Sequence, residues 1–379
     1  MEQSRTEKFI IWFDQISNDD VALVGGKNAS LGEMYTHLTS KGIRVPNGFV
    51  VTAHAYRAFI EETGLKKFIE QELAGLDTAN IKMLQQKGKT IRNKFIEKEF
   101  PAALTSQIKE AYRNLSNAYH MENADVAVRS SATAEDLPGA SFAGEHETFL
   151  DIVGEDRVLV AVRAAMASLF TDRAISYRVD KGFNHFDIAL SVGVQKMVRS
   201  DKACSGVMFT LDTETGFRGI VEINSSWGLG EMIVQGKVTP DEFIVFKSTL
   251  AQGFPAIIKK SLGEKSIKMI YQTGKKSPLP TALTGQAGVK EVAVSPSDRI
   301  QFTLSDEEIL TLARWGVAIE EHYSARAGHL MPMDMEWAKD GISGELFIVQ
   351  ARPETVQSEK TGYEIKEYKL TGNGDVVGE

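Results

Sequence analysis

Four polar residues near residue 340 have the spacing of a metal-and-phosphate site. In MPMDMEWAKDGISGELFIVQARPE (331–354), two alternating segments flank an Asp-Gly turn, which is the signal of a β-hairpin. Asp334 and Glu336 are two apart and share one face of a strand, as do Gln350 and Arg352. A turn centred on Ser343 sets Glu336 opposite Gln350 and Asp334 opposite Arg352, with all four on one face and Met335, Trp337, Val349 and Ala351 on the other. Two carboxylates and an amide oxygen suit Mg2+, a hard cation that also takes substrate phosphates as ligands. Arg352 beside them could clamp a phosphate. The same four residues also fit a plain cross-strand Asp–Arg pair on a solvated sheet face.

Two further cations make the same demand. Arg129 sits in an apolar strand, DVAVRSS, where an unpaired charge is costly and either an anionic ligand or a buried carboxylate must compensate it. It opens a stretch, VRSSATAEDLPGASFAGEHETFL (128–150), dominated by small and hydroxyl side chains, which lets backbone N–H groups approach a ligand closely. Lys27 follows Gly25-Gly26 at an expected helix start, an anion-binding position, although an exposed turn lysine reads the same way. Known phosphate signatures are absent: Gly144 is followed by Glu145-His146 and not by Lys-Ser/Thr, and Gly228-Leu229-Gly230 has Ile233 where a third glycine belongs. The three motifs together read as a Mg-nucleotide site assembled from distant parts of the chain.

The elements that must position these residues alternate. After Gly25-Gly26-Lys27, Leu31, Met34, Tyr35 and Leu38 recur at helical spacing up to a Lys41-Gly42 stop. GFVV (48–51) reads as a strand and Thr52 as the cap of the next helix. Residues of about 55–120 read as a charged helical insert, and 157–181 as one long helix. DVAVRSS, IALSVGVQKMV, CSGVMFTLD and GIVEINSS read as strands, and Ser305-Asp306-Glu307-Glu308 as a capping box before another helix. Met333, Met335 and Trp337 are expected to fill core, as is Cys204, a packed residue and not a nucleophile.

Composition narrows the classes. A 379-residue chain with 42% hydrophobic and 25% charged residues is long enough for two or three domains with real cores. A net charge of −8 without a basic block argues against nucleic acid. One cysteine permits no intrachain disulfide and no cysteine metal cluster. MEQSRTEKFI lacks a signal-peptide core, and the longest apolar segment, 158–170, is short and carries Arg163, so neither secretion nor a membrane partner is expected and the location reads as cytoplasmic.

GGKNASLGEM (25–34), the 128–150 stretch, VGVQKMV (192–198), SGVMFT (205–210), GLGE (228–231) and PMDMEW with IVQARPET (332–355) closely resemble, in motif order, the ATP-binding part of the pyruvate phosphate dikinase family. The resemblance runs from about residue 8 to 357. It implies an α+β ATP-grasp fold, in which subdomains 1–198 (with the helical insert) and 199–357 close on ATP, and 358–379 form a linker. By motif, it implies that Lys27 and Arg129 contact ATP phosphates and that Gly144 and Thr148 lie over the triphosphate. Gln195, Met197 and Val198 would meet adenine, partly through backbone groups. Glu336 and Gln350 would hold Mg2+ with Asp334 nearby, and Arg352 would stabilise charge on the transferring phosphoryl group; Glu231 could assist. In the family the phosphoryl group passes to a histidine on a swivelling domain and then to pyruvate in a barrel domain. The glycine-rich T-x-H-A-A segment of that histidine is absent here, and none of the seven histidines replaces it; His146 is the one within the small-residue stretch. The alternatives are the ATP domain of a rifamycin phosphotransferase-like dikinase and a non-catalytic nucleotide-binding module.

Overall fold

The computed structural model describes residues 4–133, 148–272 and 289–358, with backbone alone at 136–137 and 140–141. Period-two alternation builds two antiparallel sheets. The first contains β1 (Ile10–Trp12), β2 (Gly48–Val51), β3 (Val126–Ala132), β6 (Thr148–Ile152) and β7 (Leu190–Lys196), in the order β1-β2-β7-β3-β6. A separate small ribbon pairs β4 (Asp136–Leu137) with β5 (Ala140–Ser141). On β3, Val126, Val128 and Ala132 enter a core with the helices, which leaves Ala127, Arg129 and Ser131 on the opposite face.

The helices covering that sheet are α2 (Ala53–Glu62), α3 (Leu65–Leu73), α4 (Ile81–Glu97), α5 (Ala102–Ala118), α6 (Glu155–Ala167) and α7 (Asp172–Asp180). The first four follow one another between Ala53 and Ala118, and Thr52 caps α2 by accepting from the Ala55 amide at 3.2 Å. The single long helix expected at 157–181 is instead two. A 3-10 turn, Ser168–Phe170, ends α6, and the Thr171 hydroxyl accepts from the Ala174 amide at 3.3 Å to begin α7.

The second sheet contains β8 (Cys204–Phe209), β9 (Ile220–Trp227), β10 (Asp241–Phe246), β11 (Ile257–Ser261), β14 (Met333–Lys339) and β15 (Leu346–Pro353), in the order β11-β10-β9-β8-β14-β15. A two-stranded ribbon, β12 (Ile267–Tyr271) with β13 (Val289–Ala293), stands apart. Among the described residues three short helices, α8 (Glu231–Val234), α9 (Lys247–Ala251) and α10 (Pro296–Arg299), precede the long α11 (Asp306–Ala327) in this half. The Ser305–Glu308 capping box of α11 is formed in both directions. The molecule is therefore α+β, as expected.

Helix α1 (Val21–Leu38) packs against both sheets, on β3 and β7 of the first and β15 of the second. Its apolar residues Val24, Ala29, Leu31, Met34 and Leu38 share one core with Met208, Ile223, Met335 and Trp337 of the second sheet and with Ile309, Leu312 and Ile319 of α11. Met333 and Cys204 are fully buried in that same core. Burial pushes the Cys204 thiol up to about 12, further than the nearby Lys339 ammonium can offset, so it is packed and protonated. Among the described residues, no helix is long and apolar enough to cross a membrane.

Candidate functional site

Between the two sheets lies a cleft of about 560 Å³, the size of a small-molecule site. The local structure around each lining residue follows from sequence. Gly25 breaks α1 with φ 74° and ψ 162°, a conformation reserved for glycine. A Cβ there would sit 2.3 Å from Ser131 Oγ, so only glycine lets the restarted helix abut β3. Lys27 then follows, its amide donating to Ser131 Oγ at 3.2 Å and its side chain in the cleft lining.

On β3, Arg129 is paired with Thr148 of β6 and Gly193 of β7. The glycine opposite it leaves room for Asn28, whose Oδ1 would lie 2.3 Å from any added Cβ. Arg129 Nη1 donates to the Val349 carbonyl at 3.1 Å, across the cleft from its own sheet. Its buried Nε has no hydrogen-bond partner among the described residues. A buried guanidinium N–H without an acceptor is costly, and an anion entering the cleft would supply one.

The hairpin pairs as its alternation predicts, with Asp334 opposite Arg352 and Glu336 opposite Gln350. One expectation fails. The register shifts between Glu336 and Trp337, so that Ile348, and not Val349, pairs with Trp337 and fills the core. Val349 is the extra residue of a β-bulge; it lines the cleft and gives its carbonyl to Arg129. The apolar doublet Ile348-Val349 was the sequence signal for this, since strict alternation would put a polar residue at one of them.

Arg352 is bound to Asp334, with Nε and Nη2 each 2.8 Å from Oδ2. The cross-strand pair is thus present, and it occupies one carboxylate of the expected oxygen set. Glu336 and Gln350 remain side by side in the lining. Burial raises the Asp334 carboxyl above its usual range; Arg352 opposes this, while Glu336 and Glu354 add to it. Burial likewise raises Glu231, which Arg129 partly offsets and Glu336 reinforces. Arg129 and Glu336 therefore both act on Glu231 in one charged part of the cleft. Among the described residues no three His, Cys, Asp or Glu side chains converge on a metal position. A cation here would take Glu336 and Gln350 and complete its shell from substrate oxygens or water, the habit of Mg2+.

Another part of the lining is apolar. Ala127, Met197, Leu229 and Tyr271 form a small cluster with Met232 and Met269, and Leu150 packs against it. Gln195 is buried and its Nε2 donates to the Pro46 carbonyl at 3.2 Å. The Met197 amide donates to the Asp125 carbonyl and the Val198 carbonyl accepts from Ser200, both at 2.9 Å. Those two backbone groups are thus committed within the protein, and a ligand would meet other atoms of Met197 and Val198.

Of the residues singled out in the sequence, Lys27, Arg129, Thr148, Gln195, Met197, Val198, Glu231, Glu336, Gln350 and Arg352 all line this one cleft. Asp334 stands behind Arg352, and Gly144, His146 and the 359–379 tail lie outside the described residues. The sequence reading missed Tyr271, which closes the apolar part under the Arg199 guanidinium, 5.4 Å from the ring centre. It also missed the ion pair of Lys196 with Asp125 at 2.6 Å beside Met197. Neither has a local sequence signal, because each depends on elements far apart in the chain.

Comparison with known proteins agrees with this geometry. The chain matches the pyruvate phosphate dikinase AMP/ATP-binding domain over residues 21–372. It is 52% identical to the phosphoenolpyruvate synthase of Aquifex aeolicus over 98% of this chain and 42% of that protein. The phosphoenolpyruvate synthases of Synechocystis sp. and Escherichia coli are 52% and 49% identical, over 97% and 100% of this chain and 44% and 46% of their own lengths. The chain thus spans less than half of the relatives it matches, and the half it spans is the nucleotide-binding one. With a cleft charged at one part and apolar at the other, and a match that runs through every strand lining it, the chain belongs to the pyruvate phosphate dikinase AMP/ATP-binding domain family.

Proposed function

We propose that this chain binds MgATP in the cleft and donates a phosphoryl group from it to a histidine on another domain, as the nucleotide half of a phosphoenolpyruvate synthase. In such an enzyme a swivelling phosphohistidine domain would carry the group to pyruvate in a barrel domain. The lobes 1–198 and 199–357 would be the two jaws of an ATP-grasp, with 358–379 leading toward those partners. The observation that carries the reading is Arg129, whose buried Nε lacks an acceptor among the described residues and whose Nη1 already spans to the opposite sheet beside Glu336 and Gln350.

Each residue has a stated task. Lys27 and Arg129 hold phosphate oxygens from the first sheet, and Gln350 and Glu336 hold Mg2+ from the second. Bound Mg2+ supplies charge neutralisation between phosphates. Arg352, oriented by Asp334, meets the charge that builds on the phosphoryl oxygens as transfer proceeds. Thr148 lies beside Arg129 at the mouth, and Leu150, Met197, Val198 and Tyr271 enclose the base. None of these residues forms a covalent intermediate, since positioning and electrostatics suffice for phosphoryl transfer.

Calorimetric titration of MgATP tests this. The unmodified chain should bind saturably, and Arg129→Ala and Glu336→Ala should each weaken binding by about tenfold or more, the worth of one charge-assisted contact. Glu336→Ala should also lose most of the gain in affinity that Mg2+ gives over ATP alone. Absence of saturable binding, or variants that bind as tightly as the parent, would sink the proposal.

A further inference from the structure

Ser30 stands one helical turn beyond Lys27 on α1, and its hydroxyl meets two elements of the other half of the molecule. Ser30 Oγ donates to the Ala351 carbonyl at 2.7 Å, and the Tyr323 hydroxyl of α11 lies 2.7 Å from the same oxygen. A serine has one hydroxyl proton, so with that proton on Ala351 the phenol must be the donor to Ser30. Tyr323 OH also reaches the Ser30 carbonyl at 3.3 Å. The three residues are 8%, 5% and 2% exposed, so water does not compete for these bonds. Ala351 is the residue between Gln350 and Arg352.

The adjoining residues of α1 are tied the other way. The Lys27 amide donates to Ser131 Oγ, two residues beyond Arg129, and Asn28 Nδ2 donates to Ser191 Oγ of β7 at 2.9 Å. Within residues 27–30, then, α1 is bonded to β3, β7 and β15. One turn later Glu33 accepts from Arg326 and contacts His322 of α11, which repeats the attachment to the second half. Alanine and phenylalanine would fill the space of Ser30 and Tyr323 almost equally well, so the two hydroxyls are not needed to fill the core. What the hydroxyls add beyond packing is direction, since they fix α1 along and across the β15 backbone.

We infer that the Tyr323–Ser30–Ala351 relay is a positioning device. It sets the distance between Lys27 on one wall of the cleft and Gln350 and Arg352 on the other, and so controls affinity for the phosphates of a nucleotide without touching them. The inference rests on the nucleotide reading of the cleft given above. Ser30 and Tyr323 are positioning residues, and a purely structural role would affect all ligands of the cleft alike.

The test compares two ligands on the full chain, MgATP by calorimetry and adenosine by ligand-observed NMR, for the parent, Ser30→Ala, Tyr323→Phe and the double variant. Each single change should weaken MgATP about tenfold while adenosine stays within about twofold, because only the phosphates sense the displaced cations. The double variant should be no weaker than the worse single one, since both hydroxyls serve one relay. Adenosine binding doubles as the check that each variant is folded, and Tyr323→Phe keeps the whole ring in place. Equal losses for both ligands, no loss for either, or additive losses in the double variant would overturn the inference. A parent chain that binds no MgATP would instead remove the nucleotide reading and this inference with it, an outcome visible before any variant is made.

Discussion

Among single residues, the cations and oxygens of the cleft were legible because their types are out of place locally. A charge in an apolar strand, or acids and a base at period two, demands a partner, and the sequence shows that demand. Ser30 and Tyr323 make no such demand, being ordinary residues on helices 293 positions apart. Glu33 was invisible for the same reason, yet its side chain is fully buried. Burial by itself would raise its carboxyl, but the Asn18 amide at 3.1 Å, His322 at 2.7 Å and Arg326 at 3.1 Å outweigh that and hold it below the usual 4.5. A depressed carboxyl contributes stability that is present above about pH 4.5 and lost as pH falls through the folded-state value. Glu33→Gln should therefore cost about 2 kcal/mol at neutral pH, and the difference from the parent should shrink on acidification. Urea midpoints at neutral and acid pH measure this; an unchanged difference would remove the electrostatic account. Asp334 and Glu231 have the opposite sign, because burial raises them and their ionisation opposes folding as pH rises.

At the level of elements, local chemistry was a good guide wherever a cap or turn set the boundary. The α11 capping box and the Thr52 cap each follow from residues three positions apart. Two features escaped. The break between α6 and α7 is made by Thr171-Asp172, a helix-start signal hidden inside a continuous helical pattern. The bulge at Val349 depends on which neighbour of an apolar doublet the core accepts, and that is decided by Trp337 across the pair. Helix α1 shows how strongly one backbone position can govern an element. Replacing Gly25 by alanine should cost at least about 2 kcal/mol, from forbidden backbone geometry and from the Ser131 contact together. The denaturation midpoint should fall accordingly. MgATP affinity should fall as well, because Lys27 is two residues away; a variant as stable as the parent would show that the helix can restart without the glycine.

For the whole molecule, the division into halves is less complete than the sheets suggest. Each sheet comes from one stretch of sequence, but the core beneath the second includes Ile11, Phe13, Ile16 and the apolar face of α1. Sequence patterning cannot reveal this, because it specifies that a helix has an apolar face and not which sheet will cover it. The packing implies that the halves unfold together. Hydrogen exchange at increasing denaturant should give the slowest amides of β7 and β9 the same opening free energy, within about 0.5 kcal/mol. Two separate limits would mean that α1 leaves one sheet without disturbing the other.

The order of synthesis then matters. The apolar face of α1 is complete at Leu38, but its partners Met335, Trp337, Ile348 and Ala351 come roughly 300 residues later. At roughly 5–20 residues per second, the ribosome delivers them about 15–60 s after the helix has emerged. For that interval the α1 face has only the earlier members of its core, among them Ile11, Phe13 and Ile16, and the part that β14 and β15 will cover is exposed to whatever apolar surface is nearest. The helix that fixes the finished cleft is thus among the parts of the nascent chain that wait longest for a chaperone's protection to become unnecessary.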